Sequence, residues 1–444
     1  MSGTHPTADP ASGDSGSGPV LLALIARYRD LDHDSAARLH AVSTELAPDL
    51  LASSPAVSGS LVLSTCNRFE IYCEVPSARD VESARSDALA ALCRCSGLPA
   101  ALLTSHFEYV QGASVPAHLF AVAAGLDSVV VGERQVSGQV RRALADAQLA
   151  GTAGGRLSRL FQAASRVSKA VGARTALSAA GRSIATVALD LAAIGSSQGS
   201  LAGASVVLVG TGAYAAHVAE LLRSRQCISV AVYSHSGRAA AFAAARGGTP
   251  LTERELPAAA AAADVIIGSS GTGARIGAAS LARWRQDAAR PLTVIDLAPS
   301  HDFDPHVADL PGVELITLGS VQLAAPPADA EALRLAHALV RQAARQFEEQ
   351  EAIRAVDAAV VALRRYIQDV LDAEMERVRR QHGGGAPAED VNIALRRIVR
   401  RLLHTPTVRA RELATAGRQA DYTAALEALF GLDVQLSSAA SAAP

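Results

Sequence analysis

The sequence predicts an α/β multidomain chain in three parts: an α+β domain, a doubly wound Rossmann-type domain, and an all-helical domain joined by a long spinal helix. Three observations predict it. Residues 19 to 160 mix strand-like and helix-like patterns. From residue 203 short apolar strands alternate with helices ("SVVLVG", "AAHVAELLRSR", "CISVAVYS", "DVIIGSS", "LTVIDLA"), as in a parallel α/β unit. From 328 to 382 there is no proline or glycine, and Leu333, Val340 and Phe347 recur every seven residues. That stretch is expected to be a long helix whose apolar stripe needs a partner surface.

Taken in order, residues 1–18 are rich in Gly, Ser and Pro, with neither a basic start nor an apolar core. They read as a disordered tail, not a signal peptide. The α+β domain spans 19–160. "LLALIARY" begins as a strand, and "LVLSTCNRFEIYCEV" (61–75) reads as strand, polar break, strand. In its second half Phe69, Ile71, Cys73 and Val75 alternate with Glu70, Tyr72 and Glu74, the period of a half-buried strand. Residues 82–95 look helical, and Ser114 is the expected N-cap of a helix that Gly125 stops. Residues 161–200 read as connecting helices, so the Rossmann-type domain with them spans 161–325. "LAAPPADA" (323–330) reads as a linker, and the helical domain spans 326–444. Its first helix carries Val356, Val360, Leu363, Ile367 and Val370 at helical spacing. "HGGGAP" (382–387) breaks it, and a helix pair follows.

Composition excludes several classes. No run of about 18 strongly apolar residues is present, so no membrane span is expected and the chain reads as cytoplasmic. Five unpaired cysteines (66, 73, 93, 95, 227) in a reducing compartment argue against a disulfide framework. A net charge of −2 is too small for a generic electrostatic nucleic-acid binder. The chain has one lysine, Lys169, and no GxxxxGK[ST], which removes a P-loop and leaves little for lysine-based catalysis.

The clearest motif is "VVLVGTGAYAAHVAELL". Gly210, Gly212 and Ala215 fit G-x-G-x-x-G/A between a strand and an amphipathic helix. Gly210 permits the tight turn, Gly212 lets backbone approach a pyrophosphate, and Ala215 lets the helix pack closely. Thr211, Ala213 and Tyr214 complete the turn. The bland alternative is a vacant look-alike. The second strand ends in "YSHSGR" (233–238), with no carboxylate to grip a ribose hydroxyl. Ser234, His235, Ser236 and Arg238 suit a 2′-phosphate instead, which favours NADPH over NADH.

Cys66 sits in the polar break of 61–75, between Thr65 and Asn67, with Arg68 nearby. A thiolate is the reactive form of cysteine, and a neighbouring cation favours it. A cysteine nucleophile beside a nicotinamide donor suggests acyl chemistry through a thioester. An inert turn cysteine is the alternative. "GLDSVVVGERQVSGQ" (125–139) carries Asp127, Ser128, Glu133, Arg134, Gln135 and Gln139, either as a ligand-presenting loop or as an ordinary helix connection. His118, in an apolar helix, reads first as a core histidine. "HDFDPH" (301–306) matches no strong metal signature. "RRIVRRLLH" (396–404) reads as a solvated helix face or dimer surface before a nucleic-acid contact.

Together these residues resemble the glutamyl-tRNA reductase family, from about residue 20 to about 433. "LSTCNRFEIY" is similar to its cysteine motif, "HLFAVAAGLDSVVVGERQVSGQVRRAL" (118–144) to its longest signature, and "LLHTPTVRARELA" and "LEALFGLD" to its C-terminal motifs. The resemblance implies that Cys66 attacks the aminoacyl ester of glutamyl-tRNA(Glu), that tRNA leaves a thioester behind, and that NADPH reduces it to glutamate-1-semialdehyde. This is the first step of five-carbon tetrapyrrole (porphyrin and haem) synthesis. It implies a substrate role for Thr65, Asn67, Arg68, Ser128, Glu133, Arg134, Gln135 and Gln139, and a role in activity for His118. It further implies a V-shaped homodimer and hand-over of product to glutamate-1-semialdehyde aminomutase. Three stretches depart from the family pattern. "ARYRDLDHDS" (26–35) replaces an "NHKTAP"-like stretch, Arg134 replaces a proline in "GERQ", and "APSHD" (298–302) replaces an "AVPRD"-like loop. They leave open a divergent, non-catalytic paralogue. A cysteine aldehyde dehydrogenase of another family would not need tRNA.

Overall fold

The structure is a computed structural model. It describes residues 19–65, 67–133, 135–175, 177, 183–196, 198–270, 275–286, 288, 290–298, 301–325, 329–382, 386–416 and 418–432. The expected tail and the glycine break at 383–385 lie outside the described residues. Two compact units divide the chain: Leu21–Val75 with Asp80–Ala344, and Pro76–Arg79 with the chain from Arg345. No helix among the described residues is long and apolar enough to cross a membrane.

The first unit opens with strands Val20–Arg27 (β1), Gly59–Ser64 (β2), Arg68–Val75 (β3) and Glu108–Gln111 (β4), in sheet order β2-β3-β1-β4. Leu21 to Ala26 are all buried, as a continuous apolar run requires of a strand covered on both faces. β2 and β3 form an antiparallel hairpin with Ser64 opposite Phe69.

The sequence pattern is corrected at β3. Glu70 and Tyr72 have 0% exposure, so the strand is buried on both faces, not half-buried. Tyr72 meets the ring of Phe161 edge-on, from helix Gly155–Arg174, and His118 of helix Ser114–Ala123 reaches Glu70. The polar residues are tied to each other, which is how a buried face can still alternate like an exposed one. Ser114 is also corrected: the helix has Ala113 at its N-cap, with no side-chain cap, and Ser114 is its first residue. Gly125, with φ of +71°, follows the helix end as expected. Gly155–Arg174 is one helix running through residue 160, and it packs against Ser114–Ala123 and Gln135–Leu149.

The Rossmann-type part holds six strands: Ser205–Val209 (β5), Ser229–Tyr233 (β6), Thr249–Leu251 (β7), Val265–Gly268 (β8), Leu292–Asp296 (β9) and Val313–Thr317 (β10). All pair in parallel, in the order β10-β9-β8-β5-β6-β7. Val206 and Leu208 enter one apolar cluster, while Val207 and Val209 enter the other. Helices therefore cover both faces, which is why Val206 to Val209 are apolar at consecutive positions. Each such buried side chain stabilises the fold by roughly 1.5–3 kcal/mol.

In the second unit, helices Ala330–His382, Ala386–Thr415 and Gln419–Phe430 supply the structure, the first of them beginning before the unit does. Val356, Ala359, Val360 and Leu363 pack with Ala410, Ala414, Tyr422 and Leu426. The expected stripe stops short of Val370, which is 54% exposed.

Candidate active site

The turn between β2 and β3 is held by three hydrogen bonds donated by backbone N–H groups. Thr65 N–H donates to the Arg68 carbonyl at 3.0 Å, and Asn67 N–H donates to Thr65 Oγ1 at 3.2 Å. Tyr28 N–H donates to the Asn67 carbonyl at 3.0 Å, which ties the turn to the end of β1. Ser64 Oγ, at the turn's entry, lies 2.8 Å from His40 Nδ1 and 3.2 Å from Tyr28 Oη. The divergent segment 26–35 thus braces this turn through Tyr28. Cys66 belongs to the turn by sequence and lies outside the described residues, as does Arg134. Cys73 is core: burial pushes its thiol up to about 12, against a smaller opposing effect from Ser60.

Behind the turn lies a buried ionic network. Arg68 Nη1 donates to Glu70 Oε1 at 3.1 Å and to Asp127 Oδ2 at 2.9 Å, and Arg68 Nη2 donates to the Asp127 carbonyl. Tyr72 Oη donates to Glu70 Oε2 at 2.6 Å, and His118 Nε2 stands 2.9 Å from Glu70 Oε1. Burial works against the Glu70 charge, but His118, Arg68 and Tyr72 outweigh it and bring its pKa to about 2. Burial and Glu70 push the Tyr72 phenol up, so it stays a donor. Burial likewise opposes the Arg68 charge, and Glu70 and Asp127 hold its pKa above the ordinary value. An ionised Glu70 only accepts, so the proton of His118 sits on Nε2. Glu70 and Tyr72 were not among the expected site residues, and Asp127 was expected only as one of the polar groups of the 125–139 loop, with no role of its own. A signal existed for the first two, because Arg68, Glu70 and Tyr72 share one face of a strand by period two.

A cavity of about 470 Å³ opens beside the turn. Arg27, Tyr28, Asn67, Arg68, Asp127 and Ser128 form one wall, and Asp296, His301, Thr317 and Gln322 line the other. Asp296 ends β9, so this wall belongs to the carboxyl edge of the parallel sheet, where doubly wound folds bind ligands. "HDFDPH" has local duties there. His301 Nδ1 is 2.9 Å from Asp296 Oδ2, and Asp302 accepts from Ser270 N–H at 2.7 Å and Ser270 Oγ at 2.5 Å.

The structure thus brings Asn67, Arg68 and Ser128 to one cavity. It does not bring Glu133, Gln135 or Gln139 to that wall. Glu133 is 2% exposed; Oε1 accepts from Ile184 N–H at 3.5 Å, and Oε2 has no hydrogen-bond partner. Burial pushes its carboxyl up to about 7, opposed only by the Ile184 bond. Gln135 Nε2 is also buried without a partner.

The nucleotide turn follows β5 along the same sheet edge. Gly210 has φ of +119°, and a Cβ there would stand 2.8 Å from Ser269 Oγ, so glycine is required. Gly212 is the N-cap of helix Ala213–Ser224, and a Cβ on it would meet nothing within 4 Å. The open space lies before a helix N-terminus, which suits a phosphate. Tyr214 follows in the first turn, and Ala215 is fully buried, letting the helix lie close on the sheet. Thr211 Oγ1 lies 3.4 Å from Ser234 Oγ, joining this turn to the end of β6. Ser234 Oγ is 3.0 Å from Ser236 Oγ, Arg238 Nε donates to Ser236 Oγ at 2.8 Å, and His235 Nδ1 is 3.2 Å from Tyr233 Oη. Hydroxyls and a guanidinium meet there, with no carboxylate among Ser234 to Arg238. The donors and the glycine cradle fit a phosphorylated dinucleotide.

Known families match each region. Residues 27–175 match the glutamyl-tRNAGlu reductase N-terminal domain, 335–432 its dimerisation domain, and 191–323 shikimate/quinate 5-dehydrogenase. Lys169 lies outside that last segment, so a lysine relay has no residue to use within it. The chain is 54% identical over 424 residues to the glutamyl-tRNA reductase of Pseudarthrobacter chlorophenolicus, covering 96% of each. It is 51% identical to that of Renibacterium salmoninarum, over 94% of this chain and 92% of the relative. Among solved structures, the glutamyl-tRNA reductase of Methanopyrus kandleri is 24% identical with a TM-score of 0.47, covering 90% of this chain and 98% of that one.

Proposed function

The chain belongs to the glutamyl-tRNA reductase family, and from that premise we propose that Cys66 attacks the glutamyl ester of glutamyl-tRNA(Glu) and that NADPH is the reductant. The enzyme is an oxidoreductase at the first committed step of tetrapyrrole synthesis. In the first half-reaction the Cys66 thiolate forms a C–S bond to the ester carbonyl carbon. The C–O bond to the terminal ribose breaks, the ribose oxygen takes a proton, and free tRNA leaves a glutamyl thioester. When bound, NADPH supplies the hydride that converts this thioester to glutamate-1-semialdehyde and frees the thiolate.

The residues divide this work. Thr65 and Asn67, on either side of Cys66 in sequence, hold the turn through Thr65 N–H to the Arg68 carbonyl and Asn67 N–H to Thr65 Oγ1. Arg68, with its planar fork, binds carboxylate. Ser128 joins Arg68 at the cavity, and Glu133, Arg134, Gln135 and Gln139 complete the substrate set on the family pattern. His118 acts through Glu70, keeping the carboxylate that orients Arg68 in place. Gly210 to Ala215 would hold the pyrophosphate, and Ser234, His235, Ser236 and Arg238 the 2′-phosphate. Ile398 and Leu402 are 54% and 64% exposed on helix Ala386–Thr415, apolar surface that a second copy would cover in the homodimer. An α-amino aldehyde condenses with itself, so direct transfer to an aminomutase belongs to this reading.

The observation that carries it is a cavity walled on one side by Asn67 and Arg68, which follow Cys66 in sequence, and on the other by the carboxyl edge of the nucleotide sheet. The test is single-turnover reduction of glutamyl-tRNA by wild type and Cys66→Ser, with NADPH and with NADH. Semialdehyde from wild type alone, with NADPH preferred and still bound by Cys66→Ser, is expected. Product from Cys66→Ser, or equal use of NADH, refutes the assignment.

A further inference from the structure

On the cavity wall, Arg68 stands in a charge arrangement whose other members, Arg27 and Asp127, have no part in the reaction above. Arg27 ends β1 and Arg68 begins β3, and both line the cavity. Asp127 stands between them, 2.9 Å from Arg68 Nη1 and 3.6 Å from Arg27 Nη2. Arg27 Nη1 also donates to Glu108 Oε2 at 3.0 Å, while its buried Nε has no hydrogen-bond partner.

The two carboxylates on Arg68 are not equivalent. Glu70 is fully buried and held by Tyr72 and His118 as well, so it cannot leave. The Asp127 side chain is 41% exposed and reaches the guanidiniums from the cavity side. Paired guanidiniums repel each other unless an anion lies between them. That place suits a carboxylate, and the one present is partly exposed, whereas Glu70 is not.

We infer that Arg27 and Arg68 form a clamp for the side-chain carboxylate of the substrate, and that Asp127 occupies it until the substrate displaces it. The inference rests on the proposed glutamyl reading and deepens it, because it names a second residue that reads the γ-carboxylate. A glutamyl side chain replaces one anion by another. A glutaminyl side chain would remove the Asp127 anion and return only a neutral amide, which leaves Arg68 with Glu70 and Arg27 with Glu108 but no anion between the two guanidiniums. Arg27 lies in segment 26–35, which departs from the "NHKTAP"-like family pattern.

The test follows label trapped on the full-length protein from glutamyl-tRNA and from glutaminyl-tRNA, each labelled in the amino acid, without cofactor. Wild type must trap glutamate; if it does not, the thioester reading fails and the clamp with it. Arg27→Gln is expected to lower the glutamyl-over-glutaminyl ratio about tenfold, as loss of one charged contact would. Arg27→Lys, which keeps the charge, holds the ratio within about threefold of wild type. Asp127→Asn lowers the half-saturating glutamyl-tRNA concentration about threefold, by removing the resident competitor. With wild-type trapping intact, an equal loss on both substrates in Arg27→Gln marks a purely structural arginine and overturns the clamp. An unchanged or raised half-saturation in Asp127→Asn overturns it too.

Discussion

Glu133→Gln is expected to stabilise the protein at pH 8 and to matter little near pH 5. Glu133 is 2% exposed, one of its oxygens has no partner, and its only described bond is a long one of 3.5 Å from Ile184 N–H. Burial therefore raises its folded-state pKa from 4.5 to about 7. Between those values the folded protein binds a proton that the unfolded chain releases, so stability falls as pH rises through the window. The contribution is fully present below about 4.5 and fully lost above about 7. One pKa unit corresponds to about 1.4 kcal/mol, which makes the loss about 3 kcal/mol. Glutamine does not titrate, so it removes the slope. The assay is thermal and urea unfolding of both proteins across pH 5 to 8. The variant should gain on wild type steadily, reaching roughly 5 °C in Tm at pH 8. Parallel pH profiles would mean that Glu133 is not buried as an isolated acid, and the reasoning fails.

Two further outcomes follow from the site geometry. Gly212→Asp should fold normally, since its φ of −76° suits any residue and aspartate is a good N-cap, yet lose NADPH binding by at least about tenfold because a carboxylate would face the phosphates. Cofactor fluorescence titration measures this, and label trapping at Cys66 should persist; unchanged affinity would remove the turn from the cofactor site. Glu70→Gln should cost about 3–5 kcal/mol in urea unfolding and abolish trapping, because it removes the buried charge that pairs with Arg68 and leaves only one acceptor oxygen for Arg68, His118 and Tyr72. Wild-type stability in that variant would show that the network does not position Arg68.

What the sequence by itself determined is what depends on neighbours along the chain. The turn at Gly210 and Gly212 was legible because a strand, a positive φ and a helix start lie within a few residues of each other. The parallel strands announced themselves as short apolar runs, since burial on both faces removes alternation, and the long helix as a stretch without proline or glycine. Tertiary structure decided the rest. Glu70 and Tyr72 alternate like exposed residues, and only the helices laid over β3 make them a buried acceptor and donor. Asp127 meets Arg68 across 59 positions of sequence, and Glu133 meets the start of helix Ile184–Gly195 across 51. Val370 keeps the spacing of the stripe and still faces solvent. Hydrophobic period records which side of an element is apolar. It does not record what packs there, and charge pairing between distant segments leaves no period at all, so the ionic half of this site exists only in the folded chain.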